Sequence, residues 1–168
     1  MPDTTHERTA RLWKRLLADS FPSGAISPNL RSVTSEDIPA LGALFFAAFL
    51  GTIDDGGQTE IQYASKAAAI LGGRYGEWIP GASWTIEQNG GLRSACIVCD
   101  YNPYGCPVIA VVATAPSCKR MGDGGTLLDA ALTSLPALGY LDCCAMITVG
   151  NAPSERLFNS RGFCPVAA

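Results

Sequence analysis

Histidine is almost absent from this chain: His6 is the only one among 168 residues, and it lies in a polar N-terminal stretch. A Ser-His-Asp or Cys-His hydrolase needs an imidazole beside its nucleophile, so that class is set aside. Charge is sparse as well, at 16% of residues, with a formal net charge of −3. Without a basic surplus there is no electrostatic footprint for nucleic acid. Long apolar runs are missing too. The greasiest stretch, residues 38–50, contains Pro39 and Gly42 and falls short of the roughly 20 residues a membrane span requires. Met1 to His6 hold no apolar signal core, which predicts a cytoplasmic protein without membrane association.

Cysteine, by contrast, is present seven times. Cys96 and Cys99 have C-x-x-C spacing but fall in an apolar run that reads as a strand. Positions three apart on a strand point to opposite faces, so the two cannot share a zinc. Cys143 and Cys144 are adjacent and also on a strand-like run. The expectation is no metal site, and buried free thiols in a reducing compartment.

The length suits one domain, with a core large enough to be stable alone. Residues 4–19 are predicted to form a helix, with Leu12, Trp13, Leu16 and Leu17 on its apolar face. That face is expected to dock on the chain's own domain or on a second copy, giving a homodimer, in preference to a membrane surface. Residues 21–28 read as a linker, so 1–28 form a helical extension and 29–168 the domain. Within the domain a short strand at 30–33 precedes a helix that Thr34 caps, with Asp37 three residues on. A turn at 51–57 and a helix at 59–71 follow. Strands at 82–87 and 92–99 are joined through Asn89 and Gly90, a hairpin signal. Residues 100–107 read as a loop. Residues 108–114 are apolar on both faces and read as a central strand. A helix after the glycines at 122–125, a strand at 141–149 and a helix at 151–161 complete the order β-α-α-β-β-β-α-β-α. Strands and helices therefore mix around one sheet, an α/β (α+β) class.

One loop carries a chemical signal. Lys119, Arg120, Met121, Gly122, Asp123, Gly124, Gly125 and Thr126 follow the central strand and open a helix. Glycines allow backbone N–H groups to converge, and the helix adds its free amides and positive dipole end. That combination suits a pyrophosphate; a tight turn without ligand is the plain alternative. A Walker loop is excluded because no Gly-Lys-Ser/Thr follows, and a dinucleotide fingerprint because Leu127 stands at its third glycine.

The spacing Lys119-x-x-Gly122-x-Gly124 resembles the Gln/Arg-x-x-Gly-x-Gly/Ala signature of the GCN5-related N-acetyltransferases (GNAT). Residues 151–163, an asparagine followed by a short helix ending in Gly162 and Phe163, resemble that family's second signature. The resemblance spans roughly residues 29–165. It implies the GNAT fold: a central mixed, mostly antiparallel sheet flanked by helices, with splayed central strands. It implies an acetyl-CoA-dependent transfer to a primary amine of a small molecule or peptide, by direct attack in a ternary complex and without a metal. The coenzyme's pantetheine arm is expected beside Val112, Ala113 and Thr114, its pyrophosphate on the amides from Lys119 to Thr126, and further contacts at Asn151, Ser154 and Phe158.

Three features depart from the family pattern. Phe158 stands seven residues after the asparagine, where a tyrosine acid is common, so the alternative is an acyl-CoA-binding or sensing module with weak or no turnover. Asp123 puts a carboxylate near the expected pyrophosphate. The chain also ends five residues after Phe163, where the family adds a strand, which implies an acceptor wall left open or completed by a second subunit. Tyr101 and Tyr104 are substitute acids, and Glu87 is a candidate base through water, against plainer roles as loop aromatics and an exposed acid. Asp54, Asp55 and Glu60 are candidates for holding a cationic amine, or simply a solvated turn. Similar Gly-Thr-x-Asp-Asp-x-Gly stretches occur in a bacterial subgroup of the family.

Overall fold

The computed structural model describes residues 8–17 and 28–167. Eight strands form one sheet: β1 (Ala10–Leu16), β2 (Leu30–Ser32), β3 (Glu77–Trp78), β4 (Trp84–Gln88), β5 (Gly91–Tyr101), β6 (Cys106–Thr114), β7 (Asp142–Thr148) and β8 (Cys164–Pro165). Four helices flank it: α1 (Ile38–Phe49), α2 (Glu60–Leu71), α3 (Asp123–Ala137) and α4 (Ala152–Ser160). The strand order is β2-β4-β5-β6-β7-β1-β8, with β3 also paired to β5. Every pairing is antiparallel except β6 with β7. The sheet is therefore mixed and mostly antiparallel, as expected.

Each face of the sheet buries its own core. Leu41, Leu44 and Phe45 of α1 and Tyr63, Ala67 and Ile70 of α2 pack with Ile97, Cys99 and Val111 on one side. Leu127, Leu128, Leu132 and Leu135 of α3 and Phe158 of α4 pack with Cys96, Val98 and Ile109 on the other. Cys96 and Cys99 thus do lie on opposite faces of β5. Burial pushes the Cys96 thiol up to about 12, so it remains an inert hydrophobe. Six of the cysteines are buried, while Cys164 is exposed. Among the described residues no helix is long and apolar enough to cross a membrane.

Local signals place most elements. Thr59 caps α2 by accepting from the Gln62 amide while Gln62 reaches back to the Thr59 N–H. Asn89 and Gly90 both take positive φ, the requirement of a two-residue hairpin turn. Thr34 and Asp37 form the expected box, and Asp37 also holds Arg31 of β2 in a bidentate ion pair.

Over residues 8–17, the described part of the 4–19 reading, the N-terminal helix is overturned. Residues 10–16 form β1, which lies antiparallel to β7 from Ala10↔Thr148 to Leu16↔Asp142 and also pairs with β8. The alternation of a strand sends Trp13 into the core beneath α3 and turns Leu12 to the opposite face. Leu16, placed on the apolar face by the helical reading, is 72% exposed. The open edge of β7 outweighed helical periodicity, because unpaired backbone groups there would cost more than the local preference gains. Residues 21–27 of the expected linker lie outside the described residues. Two further differences are small: residues 77–78 pair as β3, and β6 begins at Cys106 rather than 108.

Helices α1 and α2 cross at Gly42, where an added Cβ would sit 2.6 Å from the Ala64 backbone. Gly42→Ala is expected to force the helices apart and lower stability by about 1–3 kcal/mol, read as a shifted urea midpoint.

Candidate functional site

The site begins with two bulges. Ile97 pairs with Val111 and Val98 with Ile109, which leaves Ala110 as an extra residue on β6. A bulge bends its strand and raises local twist. Beyond it β6 leaves its parallel neighbour: β6 and β7 register only at Val108↔Cys144. The second bulge leaves Arg93 unpaired between Ile86↔Ser94 and Glu87↔Leu92. Freed from the ladder, Arg93 grips Asp123 through two hydrogen bonds.

That pair settles what Asp123 does. Its side chain is only 4% exposed, and both oxygens accept from Arg93. Asp123 in turn holds the Arg93 guanidinium above its ordinary value. The carboxylate is neutralised at the first turn of α3. Gly122 precedes the helix in the left-handed region, and Arg120 shares that conformation. The amides of Asp123, Gly124 and Gly125 face out of the helix end with no acceptor among the described residues.

Two cavities meet at the parting of β6 and β7. The larger, about 620 Å³, is lined by Val112, Ala113 and Thr114, by Lys119, Arg120 and Gly122–Gly125, and by Asn151 and Ser154. Most of the residues expected around a coenzyme therefore come together. Met121 is largely exposed, and neither it nor Thr126 lines this cavity. Lys119 lines it, but its ammonium donates to the Ala48 carbonyl at the end of α1, 3.1 Å away. Arg156 of α4 also lines it, a residue with no local sequence signal.

The smaller cavity, about 360 Å³, lies toward α1 and α2. Asp54, Val112, Asn151 and Ser154 border both spaces, whereas Phe158 borders only the smaller one. Phe158 packs edge-to-face on Phe163, with ring centroids 5.0 Å apart. Tyr104 faces the smaller cavity, and burial raises its hydroxyl pKa. Tyr101 packs edge-on against it instead of lining the space.

The acidic candidates separate. Asp54 accepts from Thr148 Oγ1 and from Asn151 Nδ2, each at 2.7 Å. Asn151 also accepts from the Ser154 amide through Oδ1, so its role as cap and its tie to Asp54 coexist. Asp55 turns into its own loop, where the Gly51 and Gly57 amides hold its carboxyl below the ordinary range. Glu60 opens α2 and faces neither cavity. Glu87 lies toward the far edge of the sheet, ion-paired to Arg31, and faces neither cavity. Sequence reasoning missed Arg8 and Lys66, which line the smaller cavity with Tyr75. Both come from segments whose patterns carry no motif. Lys66 is pushed below its ordinary value first by burial and then by Arg74, with Asp54 opposing.

The overall arrangement of sheet and helices is shared with solved structures. A GCN5-related N-acetyltransferase from Sphaerobacter thermophilus superposes with a TM-score of 0.70 at 14% identity, over 95% of this chain and 49% of its own. The fold is that of the GCN5-related N-acetyltransferases. The ribosomal-protein-S18-alanine N-acetyltransferase of Escherichia coli matches at 0.63 and 21% identity, covering 82% of this chain and 78% of its own. The protein yncA of Salmonella typhimurium, solved with its cofactor acetyl-CoA, matches at 0.59 and 21%, over 79% and 77%. The chain spans about half the length of the Sphaerobacter protein. No family model and no curated protein matches the sequence. These identities establish a GNAT fold and nothing finer.

Arg93→Leu is expected to strand the buried Asp123 carboxylate and cost about 3–5 kcal/mol by chemical denaturation, with the double variant Arg93→Leu/Asp123→Leu regaining most of it.

Proposed function

We propose that this protein is an acyl-CoA-dependent N-acyltransferase that moves acetyl from acetyl-CoA to a primary amine of a small molecule or peptide within a ternary complex. The observation that carries the reading is the junction of the two cavities at the parted strands, with one cavity ending on free helix amides. Several features fit the coenzyme. The first-turn amides of α3, the Arg120 charge and the left-handed Gly122 suit a pyrophosphate. Arg93 removes the repulsion Asp123 would otherwise exert. Backbone groups of β6 from Val112 to Thr114, turned toward the gap, serve a pantetheine arm.

Bound acetyl-CoA supplies an acyl thioester. This chain's residues supply the surroundings. Asp54 orients the amine from the smaller cavity and takes its proton through a water, since each of its oxygens keeps a further lone pair. The amine lone pair then forms the new C–N bond as the C–S bond breaks. A β6 N–H near the Ala110 bulge donates to the carbonyl oxygen as charge gathers there. Phe158 has no proton to give the departing thiolate. Ser154, one helical turn earlier and bordering both cavities, relays one from solvent. Tyr104, whose hydroxyl pKa burial raises, positions the acceptor. Phe158 also favours a second reading, an acyl-CoA-binding module without turnover.

Calorimetry with acetyl-CoA and CoA, followed by thiol release across an amine panel, separates the two. Binding with release supports the transferase, and binding without release on every amine supports the module. No binding removes both. Gly124→Glu is expected to abolish binding by filling the amide cradle. Gly124→Ala, whose Cβ meets nothing closer than Leu157 at 3.4 Å, serves as the folded control. Asp54→Asn is expected to slow turnover about 100-fold at saturating acetyl-CoA.

A further inference from the structure

The smaller cavity carries a charge imbalance. Arg8 and Lys66 both line it, and Asp54 is the only carboxylate that does so among the described residues. Neither cation forms a salt bridge to a described carboxylate. Arg8 donates to the main-chain carbonyls of Asp54 and Asp55, so it anchors the 51–57 loop, and its charge also helps hold the Asp55 carboxyl low. Lys66 is half-buried, sits over the Tyr63 ring at 5.8 Å and has no hydrogen-bond partner among the described residues. Asp54, held by Thr148 and Asn151, offsets one of the two positive charges.

We infer that the acceptor is a small amine bearing a carboxylate, an amino acid in the broad sense, whose carboxylate lies between Arg8 and Lys66 while its amine faces Asp54 and the parted strands. This rests on the acyl-transfer reading for the amine's position, but the anion site stands on the cavity itself. Lys66 loses part of its hydration in its half-buried place, the exposed Arg8 lines the same cavity, and an anion between them would pair with both. Lys66 falls below its ordinary value first through burial and then through Arg74, with Asp54 opposing and Arg8 adding least. A carboxylate beside it would restore that value. The cavity's volume, about 360 Å³, lies at the small end of ligand sites and suits an amino acid. Tyr75 and Tyr104 supply aromatic wall and hydroxyl donors for a side chain.

The test uses the full chain with CoA present, titrated with the standard amino acids, their amides and the matching decarboxylated amines. Binding is followed by calorimetry, and thiol release by a parallel assay with acetyl-CoA. At least one amino acid is expected to bind tenfold or more tightly than its amide and its decarboxylated amine. In Lys66→Gln and in Arg8→Gln that preference is expected to fall to near unity, through KM rather than kcat where turnover occurs. CoA affinity of each variant reports that it is folded. Amides or plain amines bound as tightly as the acids would overturn the inference, as would a preference that survives both substitutions, or no amino acid bound at all. Lys66-dependent amino-acid binding with no thiol release keeps the anion site and removes the transferase reading. Release with neutral amines alone does the reverse.

Discussion

The parting of β6 from β7 is the constraint on which the rest of this structure depends. Parallel strands normally stay paired along their length because each unpaired peptide group in a sheet interior is costly. Here a single inserted residue, Ala110, turns β6 away after Val108, and the pair never re-forms. The backbone groups released can be satisfied by a ligand. Everything around the gap serves to hold it open. Helices α1 and α2 brace one face of the sheet, α3 the other, and Asp54 ties the 51–57 loop to Thr148 and Asn151 across the opening.

The glycine-rich turn works only because a second bulge lies beside it. Arg93, pushed out of the β4–β5 ladder, neutralises a buried carboxylate in the first turn of α3. An acid in that turn already favours the helix through the dipole. Pairing it with arginine keeps that benefit while leaving the helix end free of net negative charge. Two single-residue insertions in adjacent strands thus shape the backbone of the site and its electrostatics. The pair also explains how an acidic residue fits at a position where the bare sequence reads as unfavourable for an anion.

What the sequence made legible was local. Asn89 with Gly90, Thr59 with Gln62, and Asn151 with Gly162 each encode a boundary within a few residues, and each stands where expected. The turn at 119–126 was legible for the same reason, since positive φ at Gly122 and a free helix end are properties of a short segment. What stayed hidden was set by partners distant along the chain. Residues 10–16 satisfy a helical pattern and a strand pattern about equally, and only the edge of β7 decides between them. The destination of Arg93 depends on a bulge that one sequence does not announce. Lys66 and Arg8 gain meaning only when α2 and the N-terminal segment face one cavity. Glu87 looked free because its partner, Arg31, lies 56 positions away.

The placement of β1 has a bearing on how the chain reaches this state. Arg15, within the first strand, donates to the carbonyl of Arg161, 146 positions later. On a ribosome adding about 5–20 residues per second, β1 emerges roughly 6–25 seconds before β7 exists to receive it. Until then Trp13 has no core, and the finished sheet afterwards has an open edge until β1 arrives. Closure of that edge is therefore a late, long-range step, paid for in loop entropy. The interval between them is when the nascent protein is most open to strand exchange with another copy, or to capture by a chaperone.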